Sequence, residues 1–136
     1  MDFKVEHIGI AVKDLKASIS LYEQLLVSPC YKTESVASEQ VDTAFFLQDH
    51  TKIELVASTD PQGVIAKFIE KKGEGLHHIA FEVPDIIIEM DRLQNAGFTL
   101  LNEQPKKGAD NKLVCFIHPK NCNGVLIELC QDNFSV

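Results

Sequence analysis

Two apolar periodicities alternate along the chain, and the alternation happens twice. In "HIGIAV", Ile8, Ile10 and Val12 recur at every second residue, while His7, Gly9 and Ala11 take the other face of the same strand. After Asp14, a good N-cap, the spacing changes to that of a helix, with Leu15, Ile19, Tyr22 and Leu25 or Leu26 on one side. Strand-like runs follow at about 31–37, 42–48 and 52–57. The second half repeats the order. "HIAFEV" places Ile79, Phe81 and Val83 on one face and His78, Ala80 and Glu82 on the other. A helix after Asp85 carries Ile86, Met90 and Leu93 and stops at Gly97, and strands are expected near 98–102, 112–118 and 124–130.

The repetition is also literal. "HIGIAVKDL" aligns with "HIAFEVPDI" at an offset of 71 (78 − 7), and "KIELV" aligns with "LIELC" at an offset of 74 (128 − 54). This is one module of about half the chain used twice. Module 1 spans about 1–58 and module 2 about 74–136, together forming a single domain. The connecting helix, about 60–73, is expected to start at Asp60 and Pro61, to turn Val64, Ile65, Phe68 and Ile69 inward, and to end at Gly73.

Strand alternation then makes a chemical statement. Each half contributes a histidine from its first strand and a glutamate from its last, His7 with Glu54 and His78 with Glu128, on the face opposite the bulky apolar residues. The residue two places after each histidine is Gly9 or Ala80, small enough to leave room beside an imidazole. If the halves associate with approximate two-fold symmetry, two imidazoles and two carboxylates converge. That donor set suits one divalent ion (Co²⁺, Ni²⁺, Mn²⁺, Fe²⁺ or Zn²⁺) with positions left for water or substrate. The other histidines read differently: His77 points away from His78, His50 sits in a surface turn, and His118 in "HPK" reads as a loop anchor, with ligation as the alternative.

Composition narrows the partners. The 136 residues, 45% hydrophobic and 24% charged, suffice for a core without staples. A net charge of −7 excludes a non-specific nucleic-acid binder, and no apolar run reaches the ~18 residues of a membrane span. The N-terminal stretch lacks a signal-peptide apolar region, and the four cysteines form no C-x-x-C pair. A cytoplasmic protein with free thiols is expected, with Cys115 and Cys130 in the core and Cys122 a loop thiol with no base beside it.

The duplicated His-strand to Glu-strand module resembles the vicinal oxygen chelate superfamily, which includes glyoxalase I, extradiol dioxygenases and fosfomycin-resistance proteins. The likeness covers essentially the whole chain. "HIGIAVKDL" is shared widely in the superfamily, whereas "GEGLHHIAFEV" and "FIHPKNCNGVLIEL" resemble its methylmalonyl-CoA epimerase branch. The resemblance implies an α+β fold of two βαβββ modules forming a cupped mixed sheet around one metal, and a homodimer. It implies His7, Glu54, His78 and Glu128 as ligands, and an acyl-CoA thioester as the small-molecule partner. The implied activity is epimerisation of a 2-substituted malonyl-CoA through an enolate, with Glu128 as ligand and base and Glu54 available as the second. Lys112 and Lys120, with Lys106 and Lys107, are loop candidates for the CoA phosphates. Two alternatives share the fold: a glyoxalase I-like lyase acting on a hemithioacetal, and a non-catalytic binding protein. Three departures from the branch stand out. Thr43 falls where some epimerases carry an acidic base, with Asp42 on the other face; "GADNK" replaces a Gly-Gly; and "LLVSPCY" lacks the usual glycine after the first helix.

Overall fold

A computed structural model describes residues 2–133. Met1 and residues 134–136, the ends of the two expected module spans, lie outside the described residues. In chain order the elements are β1 (Lys4–Ala11), α1 (Leu15–Leu26), β2 (Lys32–Val36), β3 (Val41–Gln48), β4 (Thr51–Ser58), α2 (Val64–Lys72), β5 (Gly75–Glu82), α3 (Ile86–Asn95), β6 (Lys106–Lys107), β7 (Lys112–Ile117) and β8 (Leu126–Asp132). Short 3₁₀ turns at Ala37–Glu39 and Pro119–Asn121 complete the list. The fold class is mixed α+β. The chain divides into two compact units, residues 7–77 and residues 2–6 with 78–133.

In the first unit the strands run in the order β2-β3-β4-β1, with β1 parallel to β4 and the other pairs antiparallel. The parallel pair requires a crossover, and α1 supplies it. Asp14 caps that helix, its Oδ1 accepting from the Ala17 amide at 3.1 Å. Leu15, Ile19, Tyr22 and Leu26 pack on Ile10, Val12, Ala44, Phe46 and Leu55. The opposite sheet face is not left bare along its length. Ile65, Phe68 and Ile69 of α2 close its far end over Ala11, Val41 and Val56.

The second unit repeats the plan with β5-β8-β7-β6, β5 parallel to β8, and α3 packing Ile86, Met90 and Leu93 on Cys115, Ile117 and Leu129. Asp85 caps α3 through the Ile88 amide at 3.2 Å. Gly97, at φ 95°, ends it in the left-handed region, where a Cβ carries a steric penalty.

Two expectations need correction. The connecting helix starts at Val64, with Gly63 as its N-cap, because Asp60 is spent on the turn before it. The Asp60 carbonyl accepts from the Gly63 amide, and its carboxylate accepts from the Gln62 amide at 2.7 Å. A Cβ on Gly63 would lie 2.5 Å from Ser58 Oγ, so the close approach of the chain demands glycine there. Val64, at 66% exposure, then falls outside the apolar face. The strand expected at 98–102 is reduced to a bridge between Leu100 and Ile117. Asn102 takes over the ladder with its side chain: Oδ1 accepts from the Phe116 amide at 3.0 Å, and Nδ2 donates to the Val114 carbonyl at 3.4 Å. A side-chain amide that satisfies the neighbouring strand removes the gain from continuing the backbone ladder.

Candidate functional site

In the first unit the β1–β4 ladder sets Gly9 directly opposite Glu54. With no side chain on Gly9, His7 reaches Glu54 from two pairs along the ladder, Nε2 to Oε1 3.6 Å. In the second unit Ala80 stands opposite Glu128, and His78 Nε2 lies 3.5 Å from Glu128 Oε1. All four residues are buried. Separations of 3.5–3.6 Å are too long for a good N–H···O bond, whose mode is about 2.9–3.0 Å. They match the spacing of two donors about 2.1 Å from one ion at a tetrahedral angle, roughly 3.4 Å apart. Buried imidazole and carboxylate groups at this spacing fit a divalent cation in their chemistry as well as their geometry.

The two units share more than the histidine and glutamate. Phe45 pairs with Glu54 across β3–β4, and Phe116 pairs with Glu128 across β7–β8. Lys32 Nζ sits 5.8 Å from the Phe45 ring centroid, and Lys106 Nζ sits 5.4 Å from that of Phe116, both within cation–π range. The His78 ring meets Phe116 edge-on at 6.4 Å. The sequence reading missed Phe45, Phe116 and Lys32. Part of the signal was present: Phe45 and Phe116 are 71 apart (116 − 45), the offset of the histidines.

Lys112 is not a loop cation. It opens β7, is buried, and its Nζ lies 2.5 Å from Asp132 Oδ1, 3.4 Å from Glu82 Oε1 and 3.9 Å from Glu6 Oε2. The loop ends one residue earlier, at Asn111, whose φ of 53° turns the chain into the strand. With three carboxylates around it, its charge is answered within its own unit. Lys106, Lys107 and Lys120 are exposed.

The remaining side chains fall as their sequence context suggests. His77 stacks edge-on against Phe68 of α2 at 4.8 Å, His50 is exposed, and His118 Nδ1 accepts from the Lys120 amide at 3.0 Å, capping the loop. Thr43 is buried and donates its hydroxyl to the Glu34 carbonyl at 3.0 Å, while Asp42 on the other face is hydrogen-bonded to Ser35. Cys115 and Cys130 are fully buried. Desolvation pushes the Cys115 thiol up to about 11 and the Cys130 thiol upward as well, so neither is a nucleophile at neutral pH.

The family model of the Glyoxalase/Bleomycin resistance protein/Dioxygenase superfamily matches residues 6–116. The chain is 39% identical over 130 residues to the ethylmalonyl-CoA/methylmalonyl-CoA epimerase of Cereibacter sphaeroides, covering 94% of this chain and 97% of that one. It is 35% identical over 129 residues to the human mitochondrial methylmalonyl-CoA epimerase, covering 94% and 73% respectively. The crystal structure of methylmalonyl-CoA epimerase from Mycobacterium tuberculosis superposes with a TM-score of 0.90 at 35% identity, over 94% of this chain and 87% of that one. With its duplicated strand–helix–strand modules and a match over most of its length, the chain belongs to the glyoxalase/bleomycin resistance protein/dioxygenase superfamily, the vicinal oxygen chelate proteins.

Proposed function

We propose that the protein is a divalent-metal-dependent epimerase of a 2-substituted malonyl-CoA thioester, with methylmalonyl-CoA as the first candidate. The observation that carries this reading is the buried histidine–glutamate pair found once in each unit at 3.5–3.6 Å. His7, Glu54 and His78 offer buried ligand atoms that all lie within 4.8 Å of one another; Glu128 stands outside that cluster, 3.5 Å from His78, and is the proposed fourth ligand. Once bound, the ion supplies positive charge at the thioester oxygen, where negative charge develops as the α-proton leaves, a contribution of several kcal/mol.

The chain's own groups do the rest. A proton α to both a thioester and a carboxylate is weakly acidic, and a positioned carboxylate base accelerates its removal by typically 10²–10⁴-fold. Glu128 serves as ligand and base. On the duplication alone, its counterpart Glu54 is the candidate for the second proton carrier. Phe116 packs edge-on against His78 and fixes the plane of its ring. The exposed Lys106 and Lys120 are the cations available to the CoA phosphates, and Lys112 is not. We further take the protein to be a cytoplasmic homodimer. Its four free thiols support the reducing setting, and no described helix is long and apolar enough to cross a membrane.

The test is NMR in D₂O with methylmalonyl-CoA, in parallel with the glutathione–methylglyoxal hemithioacetal and with metal analysis before and after chelation. Exchange and inversion at the α-carbon that chelation abolishes are expected. Turnover of the hemithioacetal alone would assign a glyoxalase-type lyase. Binding of either compound without turnover would assign a binding protein.

A further inference from the structure

We infer that Glu34, rather than Glu54, is the second proton-carrying carboxylate; this rests on the epimerase reading above. Stereoinversion imposes a geometric demand. A proton removed from one side of a planar enolate must be returned on the other, so two carriers must approach the α-carbon from different directions. Glu54 meets this poorly. It is the counterpart of Glu128, 5% exposed and facing His7 across 3.6 Å as Glu128 faces His78 across 3.5 Å, so a carrier that comes from a different direction has to stand outside these two pairs.

Glu34 has the better position. It lies on β2 directly across from Thr43, and Thr43 in turn lies across from Val56 on β4, so Glu34 shares the sheet face of Glu54 and Phe45. Two strand spacings and a two-residue step put its Cβ roughly 12 Å from that of Glu54, which sets Glu34 clear of the histidine–glutamate pair. The intervening Thr43 is short, and its hydroxyl is turned to the Glu34 carbonyl at 3.0 Å, which fixes β2 under the carboxylate. Lys32 Nζ stands 3.4 Å from Glu34 Oε1 and orients it, with Glu34 still 30% exposed and accessible to a ligand. The second unit offers no equivalent carboxylate. The ladder position that answers Glu34 is held by Lys106, which lies across from Val114, the counterpart of Thr43. The carboxylate is therefore a one-sided addition to an otherwise duplicated site, as a reaction that distinguishes two faces of its substrate requires.

The step is balanced. From one epimer Glu34 takes the α-proton and the C–H electron pair passes to the thioester oxygen; the pair then returns to the α-carbon as the protonated form of Glu128 delivers a proton to the other face, which restores the thioester carbonyl. From the other epimer the roles exchange. Glu34→Gln and Glu34→Asp should be compared with the unaltered protein, each supplied with one pure epimer in D₂O. Glu34→Gln should keep its metal content and continue to exchange the α-hydrogen of the epimer handled by Glu128, while inversion falls by 10²-fold or more. Glu34→Asp should recover part of the inversion. Inversion within a few-fold of normal in Glu34→Gln, or equal loss of exchange from both epimers, would overturn the assignment. Absence of exchange in the unaltered protein would instead remove the epimerase reading, and this inference with it.

Discussion

The two units solve one problem with the same residues and a second problem with different ones. At the site end of the sheet each offers histidine, glutamate and phenylalanine at matching positions, with a lysine over the phenylalanine ring. At the far end of the same face they part. In the first unit Ala11, Val41 and Val56 are covered by α2. In the second, the residues 71 further on from Ala11 and Val41 are Glu82 and Lys112, and with Glu6 and Asp132 they form an ion cluster instead. The chemistry constrains the site end of both copies. The far end has only to be closed, and apolar packing or paired charge will each do that.

The sharpest way to break the comparison is to attack the shared part. His7→Ala and His78→Ala should each strip the metal and lower turnover by about 10³-fold, from the several kcal/mol an ion contributes at roughly 1.4 kcal/mol per tenfold. Metal analysis and α-carbon exchange check this, and a tenfold difference between the two variants would mean that the units are not equivalent. Next in size is the part that differs. Lys112→Met leaves Glu6, Glu82 and Asp132 facing one another and should cost about 3 kcal/mol, the low end for breaking a buried pair because Asp132 is half exposed. Val41→Ala, at the matching place, should cost about 2 kcal/mol. Urea unfolding measures both, and a milder loss in Lys112→Met would show that the ions do not hold that end closed.

Smaller effects separate the helix ends. Both α1 and α3 are followed by a residue in the left-handed region, but for α1 it is Val27, at φ 50° and 91% exposed, and for α3 it is Gly97. A β-branched residue pays a penalty there that glycine does not. Val27→Gly should stabilise by about 1 kcal/mol, and Gly97→Ala should destabilise by a similar amount, purely through the backbone since a Cβ on Gly97 meets nothing within 4 Å. Thermal unfolding should register shifts of opposite sign, each about 4 °C. The smallest effect is a matter of rates. Native protein at neutral pH should be alkylated at the half-buried Cys30 and Cys122, while Cys115 and Cys130 should react only after unfolding, as peptide mapping of labelled protein will show.

Much of this was legible without coordinates because strands and caps are local. A period of two assigned His7, Glu54, His78 and Glu128 to one face, and a single aspartate before an apolar run marked each helix start, at Asp14 and Asp85. What failed to show were features set by partners distant in sequence. Lys112 looks like a loop cation until Glu6, Glu82 and Asp132 arrive around it from three other strands. The segment 98–102 looks like a strand until Asn102 answers the β7 amides with its side chain. Asp60 looks like a helix cap until the approach of Gly63 to Ser58 spends it on a turn.

The sequence by itself determined the duplication, the chemical identity of the donors and the faces they occupy, because alternation and repetition are properties of a linear string. Only the tertiary structure decided the ladder registers, and with them which aromatic and which lysine stand beside each glutamate, whether a lysine is answered or exposed, and where Glu34 points. The physical reason is that a charge takes its meaning from its neighbours in space. A carboxylate beside an imidazole, beside an ammonium or opposite a threonine is the same letter in the chain and three different groups in the folded protein.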